Sequence, residues 1–238
     1  MDYVTLNSKY RPKKIEELLH EDIKRTIKNV FNNKSKLPRL IVISGKTGSG
    51  KTSIARVICG QYLPDIDMRE LIDGIPVDGV ANISIESANL EQLERVLVAS
   101  RKLKDNIPYN VVILDDFNDG YVSDQILLSR TLELPDNNVF IVCTNDFNCL
   151  NKTITNMCDL HLQINNLPKD TIVNHIRYIC EKEGISIEKE TVEYMVNSKE
   201  LNIRGYINLL QSVLDKVKSY SITKEMVESL EVFESLTV

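Results

Sequence analysis

Apolar residues along the chain fall into two kinds of pattern, and the change from one to the other divides it. Over the first two thirds, short runs that are apolar at every position alternate with stretches where apolar residues recur every three or four positions. Leu40-Ile41-Val42-Ile43, Val111-Val112-Ile113-Leu114 and Val139-Phe140-Ile141-Val142 are such runs, rich in β-branched residues and predicted as buried strands. Shorter strands are predicted at 83–85 and 160–164. Three- and four-residue spacing predicts helices over 15–32, 53–61, 90–104 and 123–134, whereas 62–82, rich in Asp, Pro and Gly, reads as a long connection. Strands apolar on both faces that alternate with helices predict an α/β fold, a doubly wound parallel sheet covered on both sides. Near Pro168 the pattern changes. Beyond it only helical spacing remains, over about 169–183, 188–197, 203–219 and 223–234, and no strong strand. The expected organisation is an α/β domain over 1–167 followed by a small all-helical lid domain over 168–238.

Composition narrows this little: 238 residues with 42% hydrophobic and 26% charged describe an ordinary globular chain able to bury a core. The net charge of −5 argues against wholesale coating of nucleic acid only if charge is evenly spread. It is not. Residues 1–39 are net +5, whereas 105–180 and 181–238 carry −6 and −4. No apolar run approaches the roughly 18–20 residues of a membrane-spanning helix. The start, MDYVTLNSKYRPKK, lacks the apolar core of a signal peptide, so no membrane role and a cytoplasmic address are expected. Five scattered cysteines without a CxxC pair make a disulfide framework or a four-cysteine zinc site unexpected. Cys149, Cys158 and His161 invite a metal reading, but buried free thiols are the better one.

Chemistry enters with Gly45-Lys46-Thr47-Gly48-Ser49-Gly50-Lys51-Thr52, a full GxxxxGK[ST] between a predicted strand and a predicted helix. Such glycines let backbone N–H groups turn inward around phosphate oxygens at a helix N-terminus. Lys51 would reach the β- and γ-phosphates, the Thr52 hydroxyl would sit on Mg²⁺, and Ser53 continues the cradle, so ATP with Mg²⁺ is the expected ligand. Asp115 and Asp116 end an apolar strand 63 positions after Thr52. Asp115 suits a metal partner and Asp116 a water-orienting group, although the pair also fits an ordinary acidic strand end.

SKYRPKKIEELL (8–19), the P-loop, the Asp-Asp strand end, ISIESAN (83–89), VFIVCTND (139–146) and Leu201-Asn202-Ile203-Arg204 occur in the order seen in AAA+ clamp-loader ATPases. Over nearly its whole length the chain resembles a small subunit of the replication factor C or phage clamp-loader type. The resemblance implies that Tyr10, Arg11 and Pro12 line the adenine side, that Asn145 is the sensor-1 residue beside Asp115, and that Arg204 is the sensor-2 arginine. It implies other clamp-loader subunits, a sliding clamp and primer–template DNA as partners. The address it implies is cytoplasmic in a bacterial or phage-infected cell, or nuclear in a eukaryotic or viral setting. DNA phosphates would be tracked without sequence preference by the 90–104 helix, where Arg95, Arg101, Lys102 and Lys104 outnumber Glu91 and Glu94. A basic solvated helix end explains the same residues equally well.

The sequence also departs from that family. Asp116 stands where many such ATPases place Glu and is one methylene shorter, which points to slow hydrolysis. The family's Ser-Arg-Cys arginine, which enters a neighbour's site, is replaced by Met157, with Lys152 or Arg130 as possible substitutes. Members of that family commonly continue into a helical collar domain, which is not expected within these 238 residues, so either the chain is a fragment or its assembly is different. Expected overall is an ATPase subunit that loads a sliding clamp. A helicase loader or other AAA+ remodeller, and a non-catalytic ATP-binding scaffold, are the alternatives.

Overall fold

In a computed structural model describing residues 5–32, 37–73, 75–84, 109–117, 122–132, 138–198, 200–217 and 221–228, the chain divides into two compact units. One spans 12–165; the other joins 166–238 to the first eleven residues.

The 12–165 unit is built on β1 (Leu40–Ser44), β2 (Val80–Ser84), β3 (Asn110–Asp115), β4 (Asn138–Thr144) and β5 (Leu160–Gln163). They pair in the order β2-β3-β4-β1-β5, and every pair is parallel. Parallel strands require crossovers, and the sequence supplies them as helices. α1 (Leu6–Lys9), which belongs to the other unit, and α2 (Glu21–Asn32) precede β1, and the helices between strands are α3 (Lys51–Tyr62), α4 (Met68–Asp73), α5 (Val122–Leu132) and α6 (Lys152–Met157). The all-apolar runs have the expected cause. Alternate residues of each strand go to opposite faces, so a strand covered on both sides has no polar position to spare. Ile41, Ile43, Val111, Ile113, Val139 and Ile141 pack in one apolar cluster with α2 and α3. Leu40, Val42, Val112, Leu114, Phe140 and Val142 pack in a second, with Leu128, Leu132 and Ile154.

In the second unit, α1 packs with α7 (Lys169–Lys182), α8 (Lys189–Ser198) and α9 (Ile203–Val217), and residues 224–228 are also helical. Its own core contains Leu6, Ile176, Ile179, Val192, Met195, Leu210 and Val213. The Leu6 N–H donates to Gln211 Oε1 at 3.0 Å, and the Tyr10 hydroxyl donates to Glu183. The N-terminal segment, placed on sequence in the 1–167 domain, thus groups with the helices: Leu6 has its apolar partners there.

Three expectations on elements change. The predicted 15–32 helix is a 3-10 turn (Ile15–Glu17) followed by α2, because Leu18 turns to extended backbone while Glu17 Oε2 accepts the Lys13 N–H at 2.7 Å. The 62–82 connection contains α4, started by Asp67, whose Oδ1 accepts from the Arg69 N–H at 2.8 Å. Asp67 with Glu70 three positions on has the form of a capping signal that could have found it. Two residue pairs after 169, β6 (Ser186–Ile187) and β7 (Ser221–Ile222), form a small parallel ladder, too short to leave a pattern. The predicted 90–104 helix lies outside the described residues. Among the described residues no helix is long and apolar enough to cross a membrane.

Candidate functional site

β1 delivers the chain into the glycine loop. Gly45 N–H donates to Thr144 O (3.2 Å), and Ile164 N–H to Ser44 O (2.7 Å), so the loop's entry is held between β4 and β5. Gly45 has φ 154°, and a Cβ there would lie 2.9 Å from Ile164 O, so only glycine fits. Gly50 caps α3 at φ 104° with no side-chain cap, and the first turn of α3 carries no acidic residue. The leading N–H groups of the helix therefore face outward for an external acceptor, the arrangement that takes anions.

Lys51 is 5% exposed. Its Nζ donates to Gly45 O (2.8 Å), Lys46 O (3.2 Å) and Asn145 Oδ1 (3.0 Å). Asn145 Oδ1 also accepts from Thr47 Oγ1 at 3.4 Å. Thr52 Oγ1 donates to Asp115 Oδ2 at 2.7 Å. The P-loop, the β3 terminus and the β4 terminus thus meet in one place, although 63 and 94 positions separate the contacting pairs. They are the carboxyl ends of neighbouring strands, where open α/β sheets bind ligands.

Asp115 Oδ1 accepts the Asp116 N–H at 3.2 Å. Asp116 has φ 55°, the one positive value among the described non-glycine residues. That left-handed turn brings the chain back to β4, where Phe117 N–H donates to Cys143 O at 2.8 Å and Phe117 is fully buried. Asp tolerates such backbone better than longer side chains do. Burial first, and Asp115 next, push the Cys143 thiol pKa well above its ordinary value.

Other expected residues lie elsewhere. Met157 closes α6 and packs partly buried against the second sheet cluster. Lys152, at the start of α6, and Arg130, on α5, are exposed. Pro12 begins the 12–165 unit, while Tyr10, Arg11 and Arg204 belong to the helical unit. There the Tyr10 ring meets Tyr178 edge-on with centroids 6.2 Å apart. Burial and Glu183 raise its hydroxyl pKa. Arg204 is exposed in the first turn of α9, which begins where Asn202 Oδ1 accepts the Gly205 N–H at 2.8 Å. Arg95, Arg101 and Lys102 lie outside the described residues. Cys149 and His161 have local partners: Cys149 Sγ donates to Asp146 O (2.8 Å), and His161 pairs with Ser44 Oγ (2.8 Å) and stacks on Phe147 (3.9 Å).

The His161–Ser44 contact was not anticipated from sequence. Register places Gln163 opposite Ser44 and His161 opposite Val42, so the imidazole reaches Ser44 diagonally, and no sequence signal marks that contact.

The residues present fit a magnesium nucleotide. Outward N–H groups, a buried lysine ammonium, a hydroxyl paired with a carboxylate, and the buried Ser49 Oγ with no hydrogen-bond partner among the described residues are what phosphate oxygens and a hard divalent cation require.

No family model matches the chain. It is 27% identical to the DNA polymerase III subunit gamma of Buchnera aphidicola subsp. Schizaphis graminum, over 97% of this chain and 66% of that protein. To the replication factor C small subunit of Staphylothermus marinus it is 26% identical, over 91% of this chain and 64% of the relative. The chain thus spans a little under two thirds of the length of these relatives. Among solved structures it is similar to the Thermotoga maritima RuvB Holliday junction branch migration motor, with TM-score 0.71 and 16% identity over 94% of this chain and 72% of that one. The chain has the P-loop AAA+ α/β fold of that solved structure, and in sequence it is similar to proteins named DNA polymerase III subunit gamma and replication factor C small subunit.

Proposed function

We propose that this chain is an Mg·ATP-hydrolysing clamp-loader subunit, which with partner subunits opens a sliding clamp and closes it around primer–template DNA. The observation that carries the reading is the 2.7 Å contact of Thr52 with Asp115 beside a Lys51 aimed into the P-loop. The replication names of the homologues support it. Bound Mg²⁺ would draw charge from the phosphate oxygens. Thr52 and Asp115 hold it. Lys51 and the N–H groups from Gly45 to Ser53 cradle the phosphates, and Lys51 exchanges its carbonyl contacts for phosphate oxygens. Asp116 and Asn145 orient the attacking water. Tyr10, Arg11 and Pro12 serve the adenine side, and Arg204 senses the γ-phosphate. Arg95, Arg101 and Lys102 meet DNA phosphates.

One observation favours a second reading, an ATP-holding subunit that does not turn over. Asp116 is short and sits on left-handed backbone at φ 55°, where it is committed to the turn that buries Phe117. Steady-state hydrolysis by the full chain, with and without primed DNA, candidate clamp and ring partners, separates the two. Hydrolysis stimulated by clamp and DNA, slowed by Asp116→Asn with nucleotide affinity intact, is expected. Tightly retained ATP without stimulation would sink the motor reading. Co-purification with a helicase in place of a clamp would move the protein to the helicase-loader class.

A further inference from the structure

α3 carries one charged side chain that the nucleotide site does not use. Arg56 stands one turn beyond Thr52 on the same helix face, about 6 Å further from the P-loop. This is the side of α3 from which Thr52 reaches Asp115, and Arg56 is 9% exposed. Its guanidinium donates through Nη1 to Ile72 O in the last turn of α4, at a long 3.5 Å, and its Nε is buried without an acceptor among the described residues. The gap it occupies is narrow: a Cβ added at Gly60 on α3 would lie 3.1 Å from Met68 Sδ on α4. Thr52, one turn back on this helix face, touches Asp115 at 2.7 Å, so Arg56 shares that side of α3 with the carboxylate. Burial lowers the Arg56 pKa, and Asp115 is the larger of the two influences opposing that.

As a fold stabiliser this arrangement is poor. A buried cation with one long hydrogen bond gains little, and an apolar side chain of similar volume in its place is often neutral or better. Its electrostatic effect is another matter, because Asp115 already receives the Thr52 hydroxyl and the Asp116 N–H on its oxygens. We propose that Arg56 is a positioning residue for the metal site: acting through Asp115, its buried charge offsets part of the carboxylate charge and sets how tightly the Thr52–Asp115 pair takes a divalent cation. The proposal rests on the nucleotide-site reading of the P-loop. A fixed cation one helical turn along α3 from Thr52 would repel a divalent cation held by Thr52 and Asp115, so the parent protein would bind it less tightly than the same site without Arg56.

The test uses the full chain with bound nucleotide and Mn²⁺ as a paramagnetic stand-in for Mg²⁺, followed by electron paramagnetic resonance. In Arg56→Met the Mn²⁺ half-saturation concentration should fall about fivefold, the scale of a screened charge–charge interaction at such distances, with an unfolding temperature equal to or above the parent's. Arg56→Lys, which keeps the charge, should titrate like the parent. An unchanged half-saturation in Arg56→Met would overturn the proposal, as would weaker Mn²⁺ binding in both variants that tracks a lowered unfolding temperature. Failure of the parent itself to take up Mn²⁺ with nucleotide would remove the site reading and this inference together. A parent-like Arg56→Met removes only the inference.

Discussion

The sheet unit and the helical unit reach their cores by opposite routes. In the sheet unit all seven residues of β4 are buried, and so are all five of β1. Polar chemistry has no place inside such strands and collects where they stop, at Gly45, Asp115 and Asn145. In the helical unit each helix buries one stripe, as α7 does with Ile172, Val173, Ile176, Ile179 and Cys180, and shows the rest to water. Charged residues there are many and individually uninformative. The first unit therefore concentrates its function at strand ends that packing makes visible. In the second, a side chain such as Arg204, the proposed γ-phosphate sensor, is indistinguishable by packing from ordinary surface charges.

That contrast can be broken most forcefully in the cores. Phe140, fully buried at the centre of β4, packs on one sheet face among strand and helix side chains that leave little freedom to relax around a void. Phe140→Ala should destabilise by about 4 kcal/mol, and Leu210→Ala in α9, also fully buried, by about 3 kcal/mol because packed helices close more readily on a cavity. Chemical denaturation followed in parallel by nucleotide binding checks this. The sheet variant should lose both signals together, whereas the helical variant should unfold its own unit first. A single shared transition in both variants would mean that the units do not behave separately.

A smaller effect sharpens the functional half of the comparison. Lys51→Ala should reduce affinity for ATP and for ADP alike by about a hundredfold, since its ammonium is buried at the phosphate loop and has no substitute there. Arg204→Ala should lower affinity for ATP about tenfold and leave ADP unchanged, the signature of a group that meets only the γ-phosphate. Titrations with the two nucleotides measure this. Equal losses for both in Arg204→Ala would end its assignment as a γ-phosphate sensor.

The fold was readable to the extent that burial is uniform along an element. The three all-apolar runs became β1, β3 and β4 because nothing but a doubly covered strand accommodates them, and GxxxxGK[ST] became the P-loop because its glycines are demanded by backbone geometry. Legibility fails where structure is decided by contacts distant in sequence. Nothing local tells that Leu6 packs with the helices after 166, that Asp116 adopts left-handed backbone to return Phe117 to β4, or that Arg56 is buried between α3 and α4. Short elements also escape. α4 and the β6–β7 ladder bury too few residues for periodicity to register, although Asp67 and Glu70 marked the start of α4. The residue types of the site were accessible from motif chemistry, but their meeting, Asn145 with Lys51 and Thr52 with Asp115, is a product of strand order.

The mildest expected difference between the units is acid sensitivity. Burial is the first cause that lowers the pKa of His20, in the sheet unit, and of His175, in the helical unit, below the ordinary 6.5. A histidine with a depressed folded pKa binds its proton more readily in the unfolded chain. Between 6.5 and the lower folded value the unfolded state therefore holds more protons, and stability falls as pH is lowered through that window and levels off beneath it. Glu183 acts in the same direction at lower pH, because burial, which raises its pKa, is outweighed by pairing with Lys9 and Tyr10, and the net shift is downward from 4.5. Denaturation midpoints taken at half-unit steps from pH 7.5 to 5 should decline, and His20→Gln and His175→Gln should each flatten the decline. His20 has two opposing influences, the Asn165 carbonyl and Asp22, whereas burial acts on His175 unopposed. The flattening should accordingly be greater for His175→Gln than for His20→Gln, with His161 of the sheet unit, also lowered by burial alone, adding its own share to the decline. An equal or reversed order of the two variants would show that burial of the ring does not set the difference.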